Sequence, residues 1–396
     1  MRVDGIGSAV PRTVVNNNAL EKLVHTSDEW ISTRTGIKQR FVAAAGDSFT
    51  SLAADASLRA LRHARTKPEE VDMIVCCTSS PDDLFGSAGL LQHRIGASHS
   101  AAFDLTAACS GFVVGLTTAA HFLWADSARN ILVVGGDALS RMVDWRDRAT
   151  CVLFGDGCGA ALLSARNDGQ PCSLLASHMQ TDGSLARHLT ARYTDAAADM
   201  YSDSPDGNGV AAVSSTATGS SGNTASFFVY NDYDGFSPEA DVAVAESKQL
   251  RDDASGDDSQ AERSGAKLFE EERARANCEY APIHMSGRDV YRFAVKAVPE
   301  TLEHSLERAN LSADDLDWVV MHQANQRILD AAAERLGINS ERVVSNVASY
   351  GNTSAGSVPI ALDEVSAQGK LQRGQRVAIA GFGAGLTTAS AILRWD

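Results

Sequence analysis

Long apolar runs are missing from this chain of 396 residues. The longest, such as Ile131-Leu-Val-Val134, are strand-length, far from the ~18 residues that a membrane span needs. Met1-Arg-Val-Asp-Gly-Ile-Gly7 runs straight into a strand-like pattern, so neither a secretory nor a transit peptide is expected. The expected location is the cytoplasm, or a plastid-type stroma if a transit peptide has been removed. Also missing is any C-x-x-C pair among the seven cysteines, Cys76, Cys77, Cys109, Cys151, Cys158, Cys172 and Cys278. That argues against a zinc site or a disulfide framework and for a reducing compartment. Cys76, Cys77, Cys151 and Cys158 read as small buried hydrophobes.

Positive charge is scarce too, with 35 Lys and Arg against 50 Asp and Glu. The deficit is local: Thr194–Ala281 holds 18 acidic against 6 basic residues, and the remaining chain carries only about −3. This argues against nucleic-acid binding and says little else about the partners of the core. The same segment contains a Ser/Gly/Thr-rich stretch, Ser214–Gly222, and a charge run, Arg251–Asp258. We expect about 194–281 to be a mostly flexible surface insertion, with local structure at most around Phe227–Tyr230 and Glu270–Arg275.

The whole chain is 44% hydrophobic and glycine-rich, and outside that segment it is weakly repeated. Pro68-Glu-Glu-Val-Asp-Met-Ile-Val-Cys-Cys77 resembles Ala313-Asp-Asp-Leu-Asp-Trp-Val-Val-Met-His322: an acidic turn, then a buried strand. Further on, Ala108-Cys109-Ser110 and Gly351-Asn352-Thr353 each open a helix of small residues. Later still, Ile131–Asp137 and Val377–Gly383 are apolar strands ending in glycines. Landmarks repeated in one order predict an α/β protein of two similar halves, 1–172 and 173–396. They also predict mixed, mainly parallel sheets covered by helices, with Cys109 and Asn352 as counterparts.

Reactive side chains stand at those landmarks. Cys109 falls at a predicted helix start, where free N–H groups and the helix dipole favour a thiolate. It could equally be a core cysteine. His322 could be a satisfied structural histidine, and Asn352 a turn or capping residue. Together, a thiol, an imidazole and a carboxamide can form a covalent acyl-transfer site.

The motifs Thr26-Ser-Asp-Glu-Trp-Ile31, Arg34-Thr-Gly-Ile37, Ala107-Ala-Cys-Ser-Gly111, Phe154-Gly-Asp-Gly157, His322-Gln-Ala-Asn325, Gly351-Asn-Thr-Ser-Ala355 and Gly381-Phe-Gly-Ala-Gly385 carry a family resemblance. On them the chain resembles the β-ketoacyl-[acyl-carrier-protein] synthase III family, the initiating condensing enzymes of type II fatty acid synthesis. The resemblance implies a thiolase fold in five α-β-α-β-α layers and a homodimer. It implies decarboxylative condensation of a short acyl-CoA with malonyl-[acyl-carrier-protein], and no metal or bound cofactor. Cys109 would be acylated, its backbone N–H and that of Ala384 would form the oxyanion hole, and His322 and Asn352 would hold the enolate. Trp30, Arg34, Arg148, Gly287 and Asn325 match CoA-binding positions; Phe85, Leu139 and Phe154 match the acyl-pocket wall.

Arg292, Arg327 and Arg335 match basic positions of the carrier-protein patch, which attract an acidic partner. Glu334 replaces one further basic position, and Arg288 stands where the family often has Asn. The acidic insertion could weaken or gate docking beside that patch. Thr26–Glu29 forms a plausible capping box before Trp30. Alternatives are a related Cys-His-Asn condensing enzyme or acyltransferase of polyketide and secondary metabolism, and a non-catalytic subunit of the same fold.

Overall fold

A computed structural model describes residues 1–166, 172–192 and 280–396. All of them belong to one compact unit, Met1–Ala196 with Ala261–Asp396. The expected insertion, with its Ser/Gly-rich, aromatic and charged stretches and Cys278, lies outside the described residues apart from Tyr280 and Ala281.

The strands are β1 (Arg2–Ala9), β2 (Thr13–Asn16), β3 (Gln39–Val42), β4 (Met73–Cys77), β5 (Ala101–Leu105), β6 (Asn130–Asp137), β7 (Gly157–Ser164), β8 (Leu174–Thr181), β9 (Leu189–Thr190), β10 (His284–Met285), β11 (Trp318–Met321), β12 (Arg376–Gly383) and β13 (Thr387–Arg394). One sheet has the order β1-β7-β6-β4-β5, a second the order β11-β12-β13-β8; β2-β3 and β9-β10 are small two-stranded sheets. Helices Phe49–Ala64 and Ala88–Ile95 cover the outer face of the first sheet. Helix Gly287–Ala309, with Gln326–Leu336 against it, covers the outer face of the second. Helices Gly111–Trp124 and Ser357–Ala367 lie between the sheets, each touching both. These are the five layers of a thiolase fold.

Burial explains the layering. The two central helices are rich in small and aliphatic residues, because each has apolar sheet on two sides. Phe112, Val113, Leu116, Val358 and Leu362 pack there with Val133, Leu163, Val377 and Ile379 in one apolar cluster. Among the described residues no helix is long and apolar enough to cross a membrane.

The sheets are less parallel than expected. β4 pairs parallel with β5 and β6, and β11 with β12, but β1–β7, β6–β7, β12–β13 and β13–β8 are antiparallel. β7 is buried at every residue. A strand covered on both faces reads as an unbroken apolar run in either direction, so the pattern could not distinguish them.

The counterpart of Cys109 is also not the expected one. Before helix Gly111–Trp124 runs a 3-10 turn, Ala108–Ser110, whose first residue has φ +47°. Before helix Ser357–Ala367 runs the turn Ser354–Gly356, whose first residue has φ +51°. The turns cross over to the opposite sheets. A Cβ on Gly381 of β12 would meet Ser110 Cα at 2.8 Å and Cys109 O at 3.2 Å, and one on Gly135 of β6 would meet Ala355 O at 2.7 Å. Cys109 therefore corresponds to Ala355, and Asn352 lies upstream of that position.

Candidate active site

Cys109 sits in the turn between β5 and its helix, with Ala108 held left-handed, a conformation uncommon for a residue with a side chain. His322 directly follows β11, and its N–H continues the ladder to Ala380 O at 2.8 Å. Asn352 follows the short helix Val347–Tyr350. Its N–H donates to Leu153 O and its C=O accepts from Gly155 N–H, both at 2.9 Å, which ties it to the Phe154 segment. All three side chains line one cavity of about 380 Å³.

Each side chain there is held. Asn352 Oδ1 accepts from Ser354 N–H at 2.9 Å, which leaves its amide nitrogen for the cavity. His322 Nδ1 pairs with Ser357 Oγ at 2.6 Å, and Phe382 stands edge-on to the ring at 5.0 Å. Burial lowers the imidazole pKa to about 3, so the ring is neutral at physiological pH. Cys109 Sγ accepts from Ser354 Oγ at 3.3 Å. Burial pushes this thiol up to about 12; the Ser354 hydrogen bond opposes that rise, and the Asp137 charge adds to it. The resting sulfur is a thiol. Desolvation thus opposes the thiolate that the helix start would favour.

β12 closes the floor. A Cβ on Gly383 would stand 2.5 Å from the Cys109 backbone nitrogen, so only glycine allows the two backbones this close. Ala384 follows that contact and is half-buried, while the cavity lining itself passes through Gly383 and Leu386.

Towards the mouth, Trp30, Arg34, Arg148, Gly287 and Asn325 all line the same cavity, as does Phe154. The guanidinium carbons of Arg34 and Arg148 each lie 4.6 Å from the Trp30 ring centroid. Asn325 caps helix Gln326–Leu336 by accepting from Arg327 N–H at 2.9 Å and donates to Arg34 O at 3.2 Å. The cap before Trp30 is Ser27, whose hydroxyl accepts from Trp30 N–H at 3.1 Å, rather than Thr26.

Two acyl-wall expectations fall elsewhere. Leu139 is buried in the apolar cluster that holds Phe154 but does not line the cavity. Phe85 is 96% exposed, and it does not line the cavity of its own chain. Asp83 Oδ1 accepts its N–H at 2.8 Å and Gly86 turns at φ +102°, so this loop leads outward. Of the carrier-patch residues, Arg327 stacks on Tyr291 at 5.6 Å, Arg292 lies 3.8 Å from Asp289, and Arg335 pairs with Glu300 at 3.1 Å. Sequence reasoning assigned no role to Ser354, Ser357 or Asp137. The only available signal was the i, i+3 spacing of the two serines at a helix start.

Residues 103–183 match the family model 3-oxoacyl-[acyl-carrier-protein (ACP)] synthase III, and residues 306–395 match the C-terminal model of that family. A β-ketoacyl-[acyl-carrier-protein] synthase III of Thermosynechococcus vestitus is 44% identical over 396 residues, covering 100% of this chain and 98% of the relative. The chloroplastic β-ketoacyl-[acyl-carrier-protein] synthase III of Arabidopsis thaliana is 41% identical, covering 99% and 82%. The crystal structure of the Aquifex aeolicus 3-oxoacyl-[acyl-carrier-protein] synthase III aligns over 100% of this chain and 99% of its own at TM-score 0.76 and 34% identity. The priming β-ketosynthase of the R1128 polyketide biosynthetic pathway aligns over 100% and 96% at TM-score 0.74 and 29% identity. The architecture is that of the thiolase-fold condensing enzymes. Within that class, the chain belongs to the β-ketoacyl-[acyl-carrier-protein] synthase III family.

Proposed function

We propose that this chain initiates fatty acid synthesis by joining a short acyl group, taken from acyl-CoA, to malonyl-[acyl-carrier-protein]. The convergence of Cys109, His322 and Asn352 on one cavity supports this reading most directly. In the first half-reaction Cys109 Sγ attacks the thioester carbonyl, and the N–H groups of Cys109 and Ala384 receive the developing oxyanion. The acyl–CoA bond breaks, and the thiol proton ends on the departing CoA sulfur. In the second, malonyl thioester loses CO2, and the enolate oxygen accepts hydrogen bonds from His322 Nε2–H and Asn352 Nδ2–H. Nδ1 pairs with the Ser357 hydroxyl, and the tautomer that this role requires is the one in which Nδ1 accepts and the proton of the neutral ring lies on Nε2, facing the enolate. The carbanion attacks acyl-Cys109, the carbon–sulfur bond breaks to give 3-oxoacyl-carrier protein and Cys109 thiolate, and a proton taken from solvent restores the thiol. Loss of CO2 drives the condensation, so no resident cofactor enters the scheme. Among the described residues no cluster of three or more His, Cys, Asp or Glu could hold a metal.

Trp30 and Arg148 would take the adenine between them, Arg34 the phosphates, and Gly287 and Asn325 the pantetheine arm. Phe154 would bound a short acyl group, with Leu139 behind it. Arg292, Arg327 and Arg335 would meet an acidic carrier protein. A homodimer would pair the open edge of β5, beside which Leu84 and Phe85 are exposed. Segments 1–172 and 173–396 would be the two duplicated halves. The cytoplasm or a plastid stroma suits such an enzyme, as the name of the chloroplastic relative suggests.

A primer panel tests the reading: labelled acetyl-CoA and longer acyl-CoAs with malonyl carrier protein, on wild type and Cys109→Ala. Acetyl transfer to wild type alone, with no label on Cys109→Ala, is expected. A chain that refuses acetyl-CoA and takes only longer primers would instead be a related condensing enzyme of polyketide or secondary metabolism, the class to which the R1128 neighbour belongs.

A further inference from the structure

The turn that opens helix Ser357–Ala367 touches all three reacting groups. Ser354 N–H holds Asn352 Oδ1, Ser354 Oγ reaches Cys109 Sγ, and Ser357 Oγ reaches His322 Nδ1. The left-handed backbone at Ser354 makes this possible, since it brings the N–H to one partner and the hydroxyl to another. On the far side of Ser354 stands Asp137, at the end of β6 and fully buried. Its carboxylate accepts from Thr78 Oγ1 at 2.9 Å, Ser79 N–H at 2.7 Å, Ser80 Oγ at 2.9 Å and Ala355 N–H at 3.4 Å. The last of these donors is the N–H that follows Ser354, so the Asp137 charge stands beside the Ser354–Cys109 pair.

A serine hydroxyl has one proton, and that of Ser354 goes to the Cys109 sulfur at 3.3 Å. We propose that Ser354 is the positioning residue of the nucleophile, its hydroxyl holding Cys109 Sγ and offsetting the Asp137 charge when the sulfur becomes a thiolate. In the resting state the hydroxyl donates to the sulfur of the neutral thiol. During acyl transfer the sulfur–acyl bond forms, the acyl–CoA bond breaks, and the thiol proton passes to the CoA sulfur. As that proton leaves, the hydroxyl bond to the now anionic sulfur becomes charge-assisted. Once Cys109 is acylated its sulfur is neutral, and the bond weakens again. No other bond changes. The remaining titratable groups around the pair are the Cys76, Cys77 and Cys158 thiols, all pushed up by burial, and the neutral His322.

This assignment rests on Cys109 being the nucleophile, so the test reads the thiol itself as well as turnover. Iodoacetamide alkylation of Cys109 in the full chain, followed by mass spectrometry of its peptide, gives a rate at a fixed pH of about 8, where the rate follows the small thiolate fraction. Ser354→Ala, which removes the thiolate donor, is expected to slow alkylation, and acylation by acetyl-CoA, about tenfold. Asp137→Asn, which removes the opposing charge, is expected to speed alkylation. Ser357→Ala is expected to leave the alkylation rate in place and slow malonyl decarboxylation. Rates that move together in the Ser354 and Asp137 variants, or a Ser354→Ala rate that stays or rises, overturn the proposal. Should Asp137→Asn fail to fold, the sign of the Ser354→Ala change decides alone. Failure of acetyl-CoA to label wild-type Cys109 would instead defeat the reading of the site as a condensing centre.

Discussion

His322 shows how far one residue is set by its surroundings. Desolvation alone carries its pKa down to about 3, so the ring donates as a neutral imidazole rather than as a cation. Malonyl decarboxylation is then expected to be flat between about pH 5 and 8, with no limb near the ordinary imidazole value. A pH–rate series on malonyl carrier protein, read as CO2 release, would show a limb near 6.5 if the ring worked as an imidazolium. Replacing the donor, His322→Ala, is expected to slow release on the order of 10²–10³-fold, the usual cost of one preorganised donor. The same depression has a stability sign. An unfolded imidazole titrates at its ordinary value, so the neutral buried ring favours the folded state above about 6.5. That contribution is lost as pH falls towards about 3.

At the level of elements, two crossing contacts assemble the site. The glycine end of β12 lies against Ala108–Ser110, and that of β6 against Ser354–Gly356. Both contacts are backbone on backbone, so a methyl group must push one chain away. Gly383→Ala is expected to displace the Cys109 N–H and cut acyl transfer to Cys109 at least about tenfold, with a stability loss of about 1–3 kcal/mol. Gly135→Ala is expected to lose similar stability but to act through Ser354 and Ser357, so that decarboxylation and acylation fall together. Separate assays of the two half-reactions, beside thermal melts, distinguish these outcomes; equal effects of both variants on both half-reactions would contradict the assignment.

The crossing also explains what could be read in advance. The acidic-turn strands Pro68–Cys77 and Ala313–His322, the helix starts and the glycine-ended strands all leave composition signals, and those elements appear where expected. The partner of Cys109 was misplaced by three positions, from Ala355 to Asn352, because the register depends on left-handed residues at Ala108 and Ser354. Nothing in the side chains of an alanine or a serine announces that conformation. The outward course of Phe85 and the burial of the thiol are tertiary facts of the same kind. Ser354, Ser357 and Asp137 escaped notice because a small polar residue near a helix start usually means a cap.

At the scale of the whole molecule, Asp156 is the carboxylate through which distant segments meet. It accepts from Ala43 N–H at 2.7 Å, just past β3, and from Ser140 N–H at 2.9 Å and Ser140 Oγ at 2.5 Å, just past β6. Three donors hold it, yet among the described residues no cation pairs with it directly, and burial raises its pKa to about 6. A carboxyl raised above its unfolded value favours the folded state fully below about 3.8, and that contribution is lost as pH rises through about 6. From the size of the shift the loss is roughly 3 kcal/mol. Asp156→Asn keeps the shape and cannot ionise, although its amide nitrogen would face one of the three donors at every pH. The variant is therefore expected to be less stable than wild type at pH 4 and to close roughly 2 kcal/mol of that gap by pH 7. Urea unfolding of both proteins at a series of pH values measures the gap. A gap that stays constant across the series would mean that this carboxyl is not raised, and that its three hydrogen bonds offset the cost of burying its charge.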